Sequence, residues 1–141
     1  MSKRIAIING PNLNLLGKRE PEVYGHANFE SVLEGLKESF PNCELVYYQS
    51  NHEGELIDAL HAEGFQGTGI VFNPGGYTHT SVALRDAISA IETPVVEVHI
   101  SNVYQREDFR RVSLTAPVCM AVISGMGIYG YKAAVEGLLE Q

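Results

Sequence analysis

The chain has 141 residues, of which 45% are hydrophobic and 19% charged, and its formal net charge is −7. This length suits one globular domain with a full core, and the negative charge disfavours nucleic acid or an anionic membrane as the main partner. The sequence shows no signal peptide and no apolar run long enough to span a bilayer. Cys43 and Cys119 fall in runs predicted to be buried strands, outside any CxxC motif, and we expect reduced thiols in a cytoplasmic protein.

Apolar runs alternate with segments of helical periodicity along the whole chain. In chain order, the first half predicts a strand at residues 3–9, a long loop at 10–25, a helix at 29–40, a strand at 45–49 and a helix at 52–63. The loop is punctuated by glycine and proline, and a stretch this long without periodicity is often a functional lid.

The second half continues the alternation. It predicts strands at residues 69–72, 94–98 and 118–124, and helices around residues 84–91 and at 131–140. Thr80 and Ser81 are predicted to cap the third helix. Strict alternation with nearly continuous apolar strands indicates a parallel sheet covered on both faces. We therefore predict one α/β domain over residues 1–141, a flavodoxin-like doubly wound fold with five parallel strands.

The fourth predicted strand leads into a polar, cationic stretch. Glu97, His99 and Ser101 alternate along it and should share one face, with about 6–7 Å separating the acid from the imidazole. A carboxylate at that distance could orient the histidine ring directly or through water. With Arg106 and Arg110 close behind, the stretch suits acid–base chemistry on an anion.

Polar residues also follow the other predicted strands. They are Asn9 and Asn12, residues 49–52, and residues 73–79. In a doubly wound sheet the carboxyl ends of the strands form the ligand-binding edge. Loops are polar in most proteins, but four such turns on one rim favour a small polyhydroxylated ligand with a carboxylate or phosphate held by arginine.

Several other site classes are disfavoured. The turn after the first strand lacks the GxGxxG pattern of dinucleotide sites, and no GxxxxGK[ST] loop occurs. The first strand does not end in an acidic cluster, which disfavours a phospho-receiver domain. His79 and His99 match no familiar metal-ligand spacing, and the four lysines lie outside the apolar strands, which disfavours an imine-forming lysine.

Four sequence blocks point to a family: INGPNLNLLGKREPEVYG, QSNHEGELID, FNPGGYTHTSVALRDA, and EVHISN followed by REDFR. In this order and almost end to end they resemble the signature blocks of type II 3-dehydroquinate dehydratase. The resemblance implies the conversion of 3-dehydroquinate to 3-dehydroshikimate with loss of water, in the shikimate or quinate pathway. It also implies a flavodoxin-like fold, no metal or organic cofactor, and a homo-dodecamer of four trimers. The chain departs from the family pattern at Tyr104 and Gln105, on the rim of the site.

The resemblance also implies roles for individual residues. Tyr24 would remove the C2 proton to give an enolate, Arg19 would stabilise the tyrosinate, and Asn12 would hold the water or oxygen that meets the enolate. His99 would protonate the departing C1 hydroxyl, with Glu97 keeping its ring in place. The remaining site residues would be Asn73, His79, the backbone of Ile100 and Ser101, and Arg110 around the substrate, Arg106 near the lid tyrosine, and Asp86 from a neighbouring subunit.

A tyrosine base requires a physical explanation. At a free pKa near 10, about one phenol in a thousand is ionised at neutral pH, and lowering that pKa by about three units takes about 4 kcal/mol. Excluding water alone would raise the pKa of the phenol, because desolvation favours the neutral form, whereas two guanidiniums inside a closed site could supply the energy that lowers it. The alternative is a non-catalytic module that binds a polyol or carboxylate on the same fold, and turnover of 3-dehydroquinate would distinguish the two.

Overall fold

A parallel sheet runs through the centre of the molecule. In this computed structural model the described residues are 3–18, 20, 22 and 28–141, and they form five strands in the order β2-β1-β3-β4-β5. The strands are β1 (Lys3–Asn9), β2 (Cys43–Gln49), β3 (Gly69–Asn73), β4 (Val95–His99) and β5 (Ala121–Ser124). All neighbouring strands pair in parallel, which confirms the predicted flavodoxin-like arrangement.

Among the described residues, two α-helices pack against each face of the sheet. They are α1 (Phe29–Ser39), α2 (Glu53–Glu63), α3 (Val82–Ala90) and α4 (Tyr129–Leu139). The apolar faces of α1 and α4 pack on one side of the sheet, and those of α2 and α3 pack on the other. Because both faces are buried, β1 and β3 are largely apolar, as the sequence predicts, and β4 adds the buried polar residues Glu97 and His99. Within the described residues, no helix is both long and apolar enough to cross a membrane.

The helix starts follow the capping signals. Asn28 caps α1 by accepting a hydrogen bond from the Ser31 amide at 3.0 Å. Ser81 caps α3 by accepting from the Leu84 amide at 2.9 Å, as predicted, whereas Thr80 ends the preceding 3₁₀ turn instead. These side chains satisfy amides that have no partner within the helix.

The fifth strand is shorter than predicted. The apolar run beginning at Val118 first forms a 3₁₀ turn, in which the amides of Val118 and Cys119 bond back to the carbonyls of Thr115 and Ala116. Strand pairing with β4 starts only at Ala121. Cys119 therefore lies in a turn and not in a strand, and both cysteines are free and partly buried rather than fully buried. The apolar residues of the turn pack on the core, which is why hydrophobicity alone suggested a strand.

Candidate active site

A polar cleft lies at the carboxyl ends of β1, β3 and β4. Asn9 and Asn73 are paired neighbours at the ends of β1 and β3, where the strand order reverses. Doubly wound sheets bind ligands at this point because the loops on either side diverge and leave a crevice. The described residues that line the cleft are Pro11, Asn12, Leu13, Asn73, Gly75, Gly76, His79, His99, Ile100, Ser101, Val103, Arg106 and Arg110.

An acid–imidazole pair lies at the end of β4. His99 Nε2 and Glu97 Oε2 are 2.6 Å apart, so the contact is direct. His99 is 8% exposed and lines the cleft, whereas Glu97 is 0% exposed and lies behind it. When the imidazole is neutral, Nε2–H donates to the carboxylate, which leaves Nδ1 as the nitrogen that can exchange a proton with a ligand.

Three hydroxyl groups surround the Glu97 carboxylate. Thr78 donates to Oε2 at 2.8 Å, Ser113 donates to Oε2 at 3.3 Å, and Thr115 donates to Oε1. Burial by itself would raise the pKa of Glu97, but the bonds from His99, Thr115 and Thr78 hold this pKa below its usual value. Glu97 is therefore an anion inside the protein. Sequence reasoning missed these hydroxyls, because single Ser and Thr residues in loops carry no pattern that links them to a strand.

The other predicted imidazole has a defined orientation. His79 Nδ1 lies 2.7 Å from the Val112 carbonyl oxygen, to which it donates. A neutral His79 therefore keeps Nε2 as an acceptor, which suits a hydroxyl group of a ligand in the cleft.

Among the described residues of the cleft, Arg106 and Arg110 both lie near one acid, Glu107. Arg110 Nε donates to Glu107 Oε1 at 2.8 Å, and Arg106 Nε lies 3.9 Å from the same oxygen. The hydrogen bond from Arg110 is the main reason that the pKa of Glu107 is lowered. The guanidinium of Arg110 also lies over the Phe109 ring, 5.0 Å from its centroid. These contacts position positive charge where an anionic ligand could be bound.

The loop after β1 adopts a conformation that brings backbone close to the cleft. Asn12 has a left-handed backbone conformation (φ 72°), which asparagine tolerates better than most residues. Its backbone N–H donates to Asn51 Oδ1 at 3.0 Å. Gly75 also has positive φ (59°), and a Cβ there would lie 3.2 Å from the Pro11 carbonyl oxygen. The two turns pack closely because this position carries no side chain.

The cleft contains most of the residues predicted for it. Those that line it are Asn12, Asn73, His79, His99, Ile100, Ser101, Arg106 and Arg110. Asp86 is exposed on α3 and is not among the lining residues of its own chain. Arg19 and Tyr24 lie outside the described residues. Within the part of the chain that is described, no three His, Cys, Asp or Glu side chains converge as a metal site would require.

Fold and cleft together define the class: an α/β enzyme of flavodoxin-like fold with an acid–base pair at the carboxyl edge of its sheet. The family model for dehydroquinase class II matches residues 3–139. The chain therefore belongs to the dehydroquinase class II family, and the resemblance seen in the sequence is confirmed.

Relatives support this assignment in sequence and in structure. The chain is 55% identical to 3-dehydroquinate dehydratase of Exiguobacterium sp., covering 97% of this chain and 94% of that protein. It is 53% identical to 3-dehydroquinate dehydratase of Bacillus pumilus, covering 96% and 93%. The crystal structure of type II dehydroquinase from Butyrivibrio crossotus superposes with a TM-score of 0.91 at 44% identity and covers 98% of both chains. That from Propionibacterium acnes gives 0.92 at 33% identity, covering 100% and 99%.

Proposed function

We propose that this protein converts 3-dehydroquinate to 3-dehydroshikimate and water. The observation that carries the proposal is the fully buried Glu97 carboxyl group, which is bonded at 2.6 Å to His99, and the ring of His99 lines a polar cleft with Arg106 and Arg110. A binding module would have no need to keep a carboxylate buried behind an imidazole, because burying an anion is costly. The names of the relatives supply the substrate.

The first step is removal of the C2 proton. The ketone at C3 acidifies this proton, and Tyr24, as the phenolate, accepts it while the C2–H electron pair forms an enolate. Arg19 stabilises the phenolate by its charge. Asn12 lines the cleft and binds the water or oxygen next to the enolate, so that fixed dipoles replace bulk water at the developing negative charge.

The second step is loss of the C1 hydroxyl. The enolate collapses back to the ketone, a C1–C2 double bond forms, and the C1–O bond breaks. His99 donates a proton to the departing oxygen, which leaves as water. The Glu97 carboxylate stabilises the protonated imidazole before transfer and keeps its ring in place. Return of a proton from Tyr24 to His99, through water, restores both groups.

The substrate is held by groups at the end of β3 and on the loops that follow β3 and β4. Asn73, His79 and the backbone of Ile100 and Ser101 bind its hydroxyls and carboxylate, and Arg110 clamps the carboxylate bidentately. Arg106 adds charge next to the lid tyrosine.

The test is turnover of 3-dehydroquinate, followed by the ultraviolet absorbance of the conjugated product. His99→Ala and Tyr24→Phe should each lose most of kcat, whereas the exposed residues of the same types, in His61→Ala and Tyr129→Phe, should leave it unchanged. Tyr24→Phe should retain substrate affinity because only a proton acceptor is removed. A folded wild-type protein that binds 3-dehydroquinate without converting it would support the binding module instead.

The reaction should need neither an imine nor a metal. An imine requires a desolvated lysine of depressed pKa. Contrary to the sequence prediction, Lys3 does belong to a strand, but it is the exposed first residue of β1. The other lysines lie in a polar loop (Lys18) or in helices (Lys37 and Lys132). Borohydride added with substrate should leave the enzyme active, and exhaustive chelation should change nothing. A trapped substrate–lysine adduct, or activity restored by one specific metal, would overturn the enolate mechanism even if the overall reaction holds.

We also propose a homo-dodecamer of four trimers in which Asp86 reaches the site of a neighbouring subunit. Its exposed position on α3, away from the cleft of its own chain, suits a contact made across subunits. Native mass spectrometry should give the dodecamer mass, and a monomer alone under active conditions would contradict the assembly.

A further inference from the structure

The buried phenol of Tyr131 lies beneath the cleft and links the ends of strands β1 and β3. Tyr131, on α4, is 0% exposed, and its hydroxyl lies between the side chains of Asn9 and Asn73. It donates to Asn9 Oδ1 at 2.8 Å and accepts from Asn73 Nδ2 at 2.9 Å. Both asparagines are themselves buried at the carboxyl ends of β1 and β3, so this hydroxyl contacts the strand ends that form the base of the cleft.

The directions of these hydrogen bonds follow from the chemistry of the groups. Burial is the main reason that the pKa of Tyr131 is raised, so the phenol keeps its proton and acts as donor and acceptor at once. The Tyr131 hydroxyl donates its hydrogen bond to Asn9 Oδ1, and Asn9 Nδ2 in turn donates to the Tyr47 hydroxyl at 3.2 Å. The oxygen of Tyr131 is then an acceptor only, and it can bond the nitrogen but not the oxygen of the Asn73 amide.

The Asn73 amide is fixed from its other end as well. Its Oδ1 accepts from the Gly75 backbone N–H at 3.1 Å. A flip of the side chain would turn Nδ2 towards that N–H, donor against donor, and Oδ1 towards the Tyr131 oxygen, acceptor against acceptor. One Nδ2 hydrogen is committed to Tyr131, and the second remains for a group in the cleft that Asn73 lines. We propose that Tyr131 is a positioning residue, which sets the Asn73 amide so that it presents an N–H donor to an oxygen of the substrate.

Packing alone does not explain the hydroxyl. The Tyr131 ring packs edge-on against Phe29, with ring centroids 4.9 Å apart, inside an otherwise apolar cluster. Phenylalanine would fill the same space without burying a polar atom, which is costly unless its hydrogen bonds are made. The hydroxyl therefore serves the two asparagines, and through Asn73 it serves the cleft. This inference rests on the proposed substrate contact of Asn73.

The test is the kinetic effect of Tyr131→Phe compared with Tyr47→Phe. Both variants remove one phenol hydroxyl from the same network, but only the first takes a partner from Asn73. If the Asn73 bond to the substrate is equally strong in ground and transition states, Tyr131→Phe should raise KM about five-fold and leave kcat within about two-fold. Tyr47→Phe should leave both constants within about two-fold. A structural role alone would lower the melting temperature of both variants without raising KM below the transition.

A double-mutant cycle tests whether the effect passes through Asn73. In the Asn73→Ala background, Tyr131→Phe should raise KM by no more than about 1.5-fold, because the group that it positions is absent. An equal rise in both backgrounds would overturn the proposal. If Tyr131→Phe does not fold, Asn9→Ala removes the acceptor of the Tyr131 proton and should raise KM about three-fold, and an unchanged KM in that variant would overturn it as well.

A readout independent of turnover separates this inference from the proposed function. In a crystal structure of Tyr131→Phe, the Asn73 amide plane should turn away from its wild-type position, while in Tyr47→Phe it should stay. Wild-type protein that does not convert 3-dehydroquinate would refute the function, and the crystal structures would still decide the positioning. An Asn73 side chain that does not move in Tyr131→Phe would overturn the inference, as would a moved Asn73 with unchanged KM in an active enzyme.

Discussion

Replacing Glu97 by glutamine should slow the reaction strongly without weakening substrate binding. The substitution preserves the shape of the side chain but removes its charge. In the structure this carboxylate accepts hydrogen bonds from His99, Thr78 and Thr115, and its pKa is lowered, so the charge is present throughout the neutral range. Glu97→Gln therefore measures what the negative charge of Glu97 contributes to kcat, apart from the shape of the side chain.

The magnitude follows from the 2.6 Å contact between Glu97 and His99. A hydrogen bond to a charged group contributes about 1.5–3 kcal/mol, against about 0.5–1.5 for a neutral one. The carboxylate also stabilises the imidazolium, an attraction of up to about 4 kcal/mol for charges about 4 Å apart near a protein surface, part of which is offset by desolvation. We expect a net loss of about 2–3 kcal/mol, which is a fall in kcat of about 30- to 150-fold. KM should stay within about three-fold, because Glu97 does not line the cleft.

The assay is steady-state turnover of 3-dehydroquinate, with Glu63→Gln as the matched control. Glu63 is the other buried glutamate among the described residues, at 1% exposed, and pairs with Arg4 through two hydrogen bonds of 2.9 Å. Arg4 is near the start of β1, about 16 Å along the strand from Asn9 at its cleft end. The control removes a buried charge at the opposite end of the sheet, so it should cost stability and leave kcat within about two-fold.

Two results would refute the reasoning. A folded Glu97→Gln variant with kcat within about three-fold of wild type would mean that the buried anion is not needed for proton donation by His99. An equal fall in kcat in Glu63→Gln would show that the loss reflects general destabilisation rather than the contact between the two site residues.

Three further predictions concern packing, pH and thiol reactivity. A Cβ at Gly69 would lie 2.6 Å from a methyl carbon of Leu138, so Gly69→Ala should lower the free energy of unfolding by about 1–3 kcal/mol in denaturant titrations. The pKa of Glu63 is lowered chiefly by the hydrogen bond from its guanidinium partner. In acid the unfolded chain therefore binds more protons than the folded one. The contribution of Glu63 to the free energy of unfolding is fully present above its pKa in the unfolded chain, about 4.3, and is lost as pH falls through its lower pKa in the folded protein. Glu63→Gln should flatten this dependence, and an unchanged slope would contradict it. Burial, with Glu97 nearby, raises the pKa of the Cys119 thiol to about 12. Its alkylation by iodoacetamide at about pH 8 should thus be at least about a hundred-fold slower in the folded than in the unfolded protein, as read by peptide mass mapping, and comparable rates would refute the assignment.

Much of the fold could be predicted because its signals are local. Each helix has an apolar stripe at helical spacing, and β1 and β3 consist largely of apolar residues, so the order and type of the elements followed from periodicity. The element boundaries differ from the prediction: β2 begins two residues before the predicted 45–49, and α4 runs Tyr129–Leu139 instead of 131–140. Element ends depend on hydrogen bonds that the neighbouring chain segments complete, and a sequence window does not contain those segments.

The sequence by itself determined which chemical groups this protein has and on which loops they lie. Alternation along β4 places Glu97 and His99 on one face, and the motifs around Asn12, Asn73 and His79 mark the cleft without any coordinates. Only the tertiary structure decided which groups surround them. The hydroxyls of Thr78 and Thr115 meet Glu97, and that of Tyr131 meets Asn9 across 122 positions of the chain. Such contacts arise because the fold packs helices and loops against the ends of the strands however far apart they lie in sequence, and no local periodicity records that meeting.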